Sequence, residues 1–231
     1  MGSCTKYASL DVISTGLGVN LRDLVDQVAD KGFMVRVDET SIRFAHDKIQ
    51  QAAYEMMSDQ EKRESHMRFG LSICSHVLNG SGENDELFFV AVNQINRGGA
   101  EVLTDPNQKV MVAKLNLKAG KRAIELSDFS TALKLFEHGT SFLNSEERWT
   151  AQYSLSLDLF DAAVETACAL NDAAGVQRFS EPILAHGKCN DDKLKCLYAV
   201  FRSLRLAFKF QDAKNVGKHC AHLQNGVHSL S

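Results

Sequence analysis

Apolar residues recur at helical spacing through most of this chain. Leu194, Leu197, Phe201, Leu204 and Phe208 step by three and four; so do Tyr153, Ser156, Phe160, Ala163, Ala167 and Leu170. Val110, Ala113, Leu117, Gly120 and Ile124 form a third such stripe. Side chains at these intervals share one face of a helix, so each stripe predicts an amphipathic helix that needs a partner. From about Ser58 onward no segment carries the two-residue alternation of a strand. The front of the chain differs. A helix is expected over Leu21 to Lys31, stopped by Gly32, and Phe33 to Val37 then alternates like a strand. Asp38-Glu39-Thr40 turns it, Ser41 to Ala45 returns, and the stretch Phe44 to Tyr54, F-A-H-D-K-I-Q-Q-A-A-Y, opens another helix. Helix, helix, hairpin, helix is the order of a winged-helix unit, expected at about residues 6–57.

Behind connecting helices over 58–106, helix pairs recur across 107–226. Tight turns are expected at Leu126-Ser127-Asp128-Phe129, Leu170-Asn171-Asp172-Ala173 and Phe210-Gln211-Asp212-Ala213. Their aspartates, Asp128, Asp172 and Asp212, lie 44 and 40 residues apart. That is a two-helix repeat somewhat longer than the tetratricopeptide unit of about 34 residues. Gly120 to Leu143 reads most like such a pair, with small residues where two helices cross closely. A single pair cannot bury its own apolar face, so the units are expected to stack. Pro182 interrupts the pattern Val176, Phe179, Ile183 and predicts a kink, or a fresh helix start capped by Ser180. Asn79-Gly80-Ser81-Gly82 reads as a loop, and Asn225 onward as a frayed end. The expected fold class is therefore mainly α: a winged-helix-like unit with a small β-hairpin, then a tetratricopeptide-like array.

Composition narrows the function. A chain of 231 residues with 44% hydrophobic content can bury a substantial core. Its net charge of −3 gives no bulk attraction to nucleic acid. The helix that would enter a major groove, Leu21 to Lys31, carries Asp23, Asp26 and Asp30, which phosphates repel. No apolar run reaches the length of a membrane span; the longest, such as Leu87 to Val92, are core-sized. Met1-Gly2-Ser3-Cys4-Thr5-Lys6 approaches a myristoylation signal but has Lys6 where Ser or Thr is required. The six cysteines show no C-x-x-C pair and fit a reducing, cytoplasmic setting.

Four blocks resemble one family. They are R-F-A-H-D-K-I-Q-Q-A-A-Y (43–54), V-A-V-N-Q-I-N-R-G (90–98), A-K-L-N-L-K-A-G-K-R-A (113–123) and W-T-A-Q-Y-S-L-S-L-D-L-F (149–160). In this order they resemble the signalling ATPases of the STAND class that are fused to serine/threonine kinases or hybrid histidine kinases. In that architecture a P-loop module precedes a winged-helix domain and a helical-repeat region. The resemblance implies that His46 contacts the β-phosphate of bound ADP and holds a closed state, while Asp47 stabilises the first turn of its helix. It implies a P-loop nucleotide-binding module or kinase as a partner, and ADP or ATP would be met only in that context. The tetratricopeptide-like stretch has its own reading, a concave surface for a protein partner or else a purely structural stack. This sequence has no G-x-x-x-x-G-K-[ST] loop. Ala119-Gly120-Lys121-Arg122 is a decoy, with Arg122 where the metal-binding Ser or Thr should be. The chain alone is thus expected not to hydrolyse ATP, and no catalytic or metal residue is assigned. The expected role is a non-catalytic regulatory and protein-binding segment, with a free-standing helical adaptor as the alternative.

Other readings remain open on residue chemistry. His46-Asp47 also reads as a helix-capping pair packing the wing against the next helix. A phosphate-accepting His46 lacks the Arg-Thr-Pro that usually follows. Cys189, Cys196, His219, Cys220, His222 and His228 match no zinc spacing. Cys74 and His76, two apart, cannot face each other on a helix. Glu146-Glu147 before Trp149 reads as a first-turn acidic cap.

Overall fold

The computed structural model describes residues 5–6, 10, 14, 20–39, 41–79 and 85–228. Gly2, Cys4 and the Gly80–Gly82 loop lie outside them. Among the described residues there are ten helices and one small antiparallel sheet, so the fold is mainly α. Two compact units divide the chain, Met1–Thr104 and Asp105–Ser231.

In the first unit β1 (Thr5–Lys6) and β2 (Met34–Asp38) flank β3 (Ser41–Phe44) in the order β1-β3-β2. The hairpin lies where the alternation put it; β1 is too short to announce itself. Helix α1 (Leu21–Asp30) is capped by Asn20, whose side chain accepts from the backbone N–H of Arg22 and Asp23. It ends at Gly32, φ 81°, where Gly32 N–H donates to Ala29 and Phe33 N–H to Val28. That left-handed turn suits glycine and satisfies two terminal carbonyls. Asp26 of α1 pairs with Arg36 of β2 at 2.6 Å. Arg36 is opposite the fully buried Ile42, so this is the covered side of the sheet. A bulge between Arg36 and Asp38 bends the edge strand. Helix α2 (Asp47–Glu55) follows β3, and α3 (Asp59–Asn79) then pairs with α4 (Asp85–Gly98). Met67, Ile73, Ala91, Val92 and Ile95 form their buried seam.

The second unit is three helical hairpins. They are α5 (Pro106–Glu125) with α6 (Phe129–Phe142), α7 (Tyr153–Ala169) with α8 (Ala173–His186), and α9 (Asn190–Leu206) with α10 (Phe210–His228). Successive hairpins stack, α6 on α7 and α8 on α9, and the first helices α5, α7 and α9 are neighbours in turn. The close crossing expected at Gly120 is present. A Cβ there would lie 2.3 Å from the ring of Phe136, which is fully buried. Trp149 stacks on His186 with centroids 5.3 Å apart and lies equally near Phe160, joining α7 to α8.

All three hairpins turn by one device. Ser127, Asn171 and Phe208 hold φ of 61°, 57° and 58°. Each donates its N–H three residues back, and the next residue donates five back: Asp128 to Ala123, Asp172 to Ala167, Lys209 to Leu204. This double bond closes a helix C-terminus, and Asp128 and Asp172 then cap the following helix.

Several expectations are corrected. The third turn is at Ala207–Lys209, not Phe210–Ala213; Asp212 lies in the first turn of α10. Phe208 therefore leaves the helical stripe in which its spacing placed it. The turn residues Ser127, Asn171 and Phe208 stand 44 and 37 residues apart. Of the two outcomes offered at Pro182, the fresh helix start is not found: α8 continues through the proline, and Ser180 caps nothing, its hydroxyl donating to the Gln177 carbonyl inside the helix. Glu146 and Glu147 sit in a turn ahead of α7 rather than in its first turn, with the Glu147 carbonyl accepting from Thr150 and Ala151.

Candidate functional site

His46 is the N-cap of α2, in extended backbone at φ −141° and ψ 141°. Its carbonyl accepts from Ile49 N–H at 2.9 Å. The imidazole makes no capping bond, and both His46 and Asp47 are exposed. The pair thus lacks the side-chain cap that the simplest structural role requires. Asp47 begins the helix, where an acidic group meets the positive end of the dipole. On the sheet, Val35 faces the side opposite Arg36 and Ile42, and it is exposed, as are Val37 on the same strand and Phe33 just before it. The first unit therefore presents an uncovered apolar edge.

A larger feature lies wholly in the second unit. Between α7 and α9 the first helices of neighbouring hairpins enclose an open hollow of about 940 Å³. Its wall on α9 follows one helical face: Lys195, Tyr198, Ala199, Arg202 and Arg205. Glu165 closes it from α7, and Phe208 and Phe210 rim it at the turn. Tyr198, Leu206, Phe208 and Phe210 are 51%, 56%, 79% and 62% exposed. Large aromatic groups in water beside a concavity are the costly feature here. The Nε of Arg202 donates to Cys168 Sγ at 3.1 Å, and the Arg205 guanidinium lies 5.8 Å from the Phe201 ring centre. The apolar stripe of α9 was legible in sequence, but the stripe adjoining it was missed. The signal for it was present: cations at 195, 202 and 205 interleaved with Tyr198.

Below this face the packing shifts several titrations. Burial pushes the Asp161 carboxyl up to about 6, against the pull of Lys195 and with help from Glu165, Asp158 and Asp192. Its Oδ1 is buried without a hydrogen-bond partner. Burial, with Asp161 nearby, pushes the Cys196 thiol up to about 12, and burial raises Cys220. Such thiols are poor nucleophiles and poor metal ligands. For Asp192, burial raises the pKa, but hydrogen bonds from Tyr153, Cys189 and Lys188 outweigh it and hold the group low. This knot ties the start of α7 to the start of α9.

The remaining expected residues do not converge. Cys196 and Cys220 are buried and Cys189 is exposed; the side chains of His222 and His228 lie outside the described residues. Among the described residues no group of three His, Cys, Asp or Glu could hold a metal ion. Cys74 is buried, and the His76 side chain lies outside the described residues. Ala119 to Arg122 lie inside α5, with Gly120 under Phe136. Among the described residues no helix is long and apolar enough to cross a membrane. No family model, curated protein or solved structure matches this chain.

Proposed function

We propose that the chain is a non-catalytic, protein-binding regulatory segment, in which a winged-helix-like unit precedes a tetratricopeptide-like array. The observation that carries this reading is the aromatic and cationic hollow between α7 and α9, on the side formed by the first helices of neighbouring hairpins. Stacked helix pairs offer such surfaces because each first helix is left with one unpaired flank. The strand order β1-β3-β2 behind α1 suits the winged-helix reading. The resemblance in the four sequence blocks extends the proposal to the arm of a STAND-type ATPase. There the exposed His46 would donate to a nucleotide phosphate and Asp47 would stabilise its turn. The uncovered edge at Phe33, Val35 and Val37 would dock the nucleotide-binding module.

The test is purification of the tagged full chain from its native cells, with and without ADP. A stoichiometric protein partner is expected, lost on Phe210→Ser while the melting temperature holds. Retention of that partner by the variant would sink the groove reading. Should the partner carry a P-loop, His46→Ala is expected to speed ADP release from the complex at least several-fold. Unchanged release would remove the sensor role and favour the free-standing adaptor, which binds without regard to nucleotide.

A further inference from the structure

We propose that the hollow between α7 and α9 takes an acidic peptide segment carrying an apolar anchor side chain. This deepens the protein-binding reading and rests on it. The lining holds three cations, Lys195, Arg202 and Arg205, against the single carboxylate of Glu165. That excess opposes the chain's net charge of −3, so it is local and not a reflection of bulk composition.

The cations fall on one face of α9 over ten residues, a row of about 15 Å. An extended peptide covers that distance in about five residues, with alternate side chains pointing into the hollow. Acidic groups would then meet the cations while an aromatic or leucine side chain enters among Tyr198, Phe201, Leu206 and Phe210. Arg202 is already held by Cys168, and Arg205 lies beside Phe201. Less side-chain freedom is lost when such groups bind. Single-stranded nucleic acid also uses cations and aromatics together. A long phosphate backbone would find no wider positive field beyond these three cations, because the chain as a whole carries a net charge of −3.

The experiment is fluorescence anisotropy on the full chain with the labelled peptide Asp-Glu-Phe-Glu-Asp-Leu. The probes compared with it are the same peptide with lysine for every acid, and oligothymidylate. The acidic peptide is expected to bind best and to weaken as salt rises. Arg205→Glu should weaken it by about tenfold or more, and Glu165→Lys should tighten it, because like charge at a contact suppresses binding and opposite charge favours it. Neither residue sits in the core, so both variants should melt as the parent does. Equal binding of the acidic and lysine peptides, tighter binding of oligothymidylate, no binding, or indifference to both substitutions would each overturn the proposal. If the acidic peptide fails while Phe210→Ser still strips the native partner, the hollow binds protein by other chemistry. If both fail, the protein-binding reading falls with it.

Discussion

Phe208 should be a residue that costs stability where it stands. Its φ of 58° lies in the left-handed region, where a bulky side chain costs about 1–2 kcal/mol. Asparagine enters that region far more readily. Against this, Phe208 meets Phe210 edge-on with ring centres 6.0 Å apart. A pair of that kind contributes about 0.5–1.5 kcal/mol, and the low end applies because both rings are largely in water. At 79% exposure Phe208 has little other burial to lose. The backbone therefore wins, and Phe208→Asn should stabilise the second unit by about 0.5–1 kcal/mol, or about 2–4 °C in melting temperature. The reciprocal change, Asn171→Phe in the matching turn, should destabilise by about 1 kcal/mol. Urea unfolding followed by circular dichroism reads both. If Phe208→Asn unfolds at lower urea, or Asn171→Phe is neutral, turn strain is not what distinguishes the third hairpin. If stability rises and peptide binding falls together, strain is being held at the binding surface, where partner contacts offset it.

Gly120→Ala should destabilise by about 2–3 kcal/mol in the same assay, because the new methyl would press into the Phe136 ring and force α5 from α6; a neutral result would mean the crossing can open freely. Asp161 gives a pH signature. Its carboxyl titrates near 6 in the folded chain against an ordinary 3.8, so the folded state binds the proton more tightly. Stability should then fall as pH rises between those two values and level off above. The full linkage would be roughly 3 kcal/mol, reduced to about 1–2 by the part of the group still in water. Asp161→Asn should therefore gain about 1–2 kcal/mol at about pH 7.5 and almost nothing at about pH 4. The same offset at both values would refute a titration origin.

Local signals were sufficient for the elements themselves. Three- and four-residue stripes located α5, α7 and α9, the alternation at Phe33 to Val37 located the hairpin, and Gly32 marked a left-handed stop. These features depend on neighbours a few residues apart, so the chain carries them in its own order. What sequence misjudged was set by packing. The fresh start allowed at Pro182 did not occur: the proline stays inside α8, whose stacking between α7 and α9 holds the helix together despite the lost hydrogen bond. Phe208, spaced like a core residue, was turned out to solvent because the helix closed at Leu206 and left it in the turn.

The same division holds for the candidate sites. His46 and Asp47 were legible as the start of a helix, and the fold fixed what their side chains touch: no cap, and open solvent. The hollow could not be read as a whole, because its opposing carboxylate comes from α7 and its aromatic rim from the turn into α10. Glu165 on α7 and Lys195 on α9 are thirty residues apart in sequence, yet they line one wall each. Period and turn chemistry are local properties, determined by the sequence alone. A binding surface is a property of which helix flanks are left uncovered once the hairpins stack, and only the tertiary structure decided that.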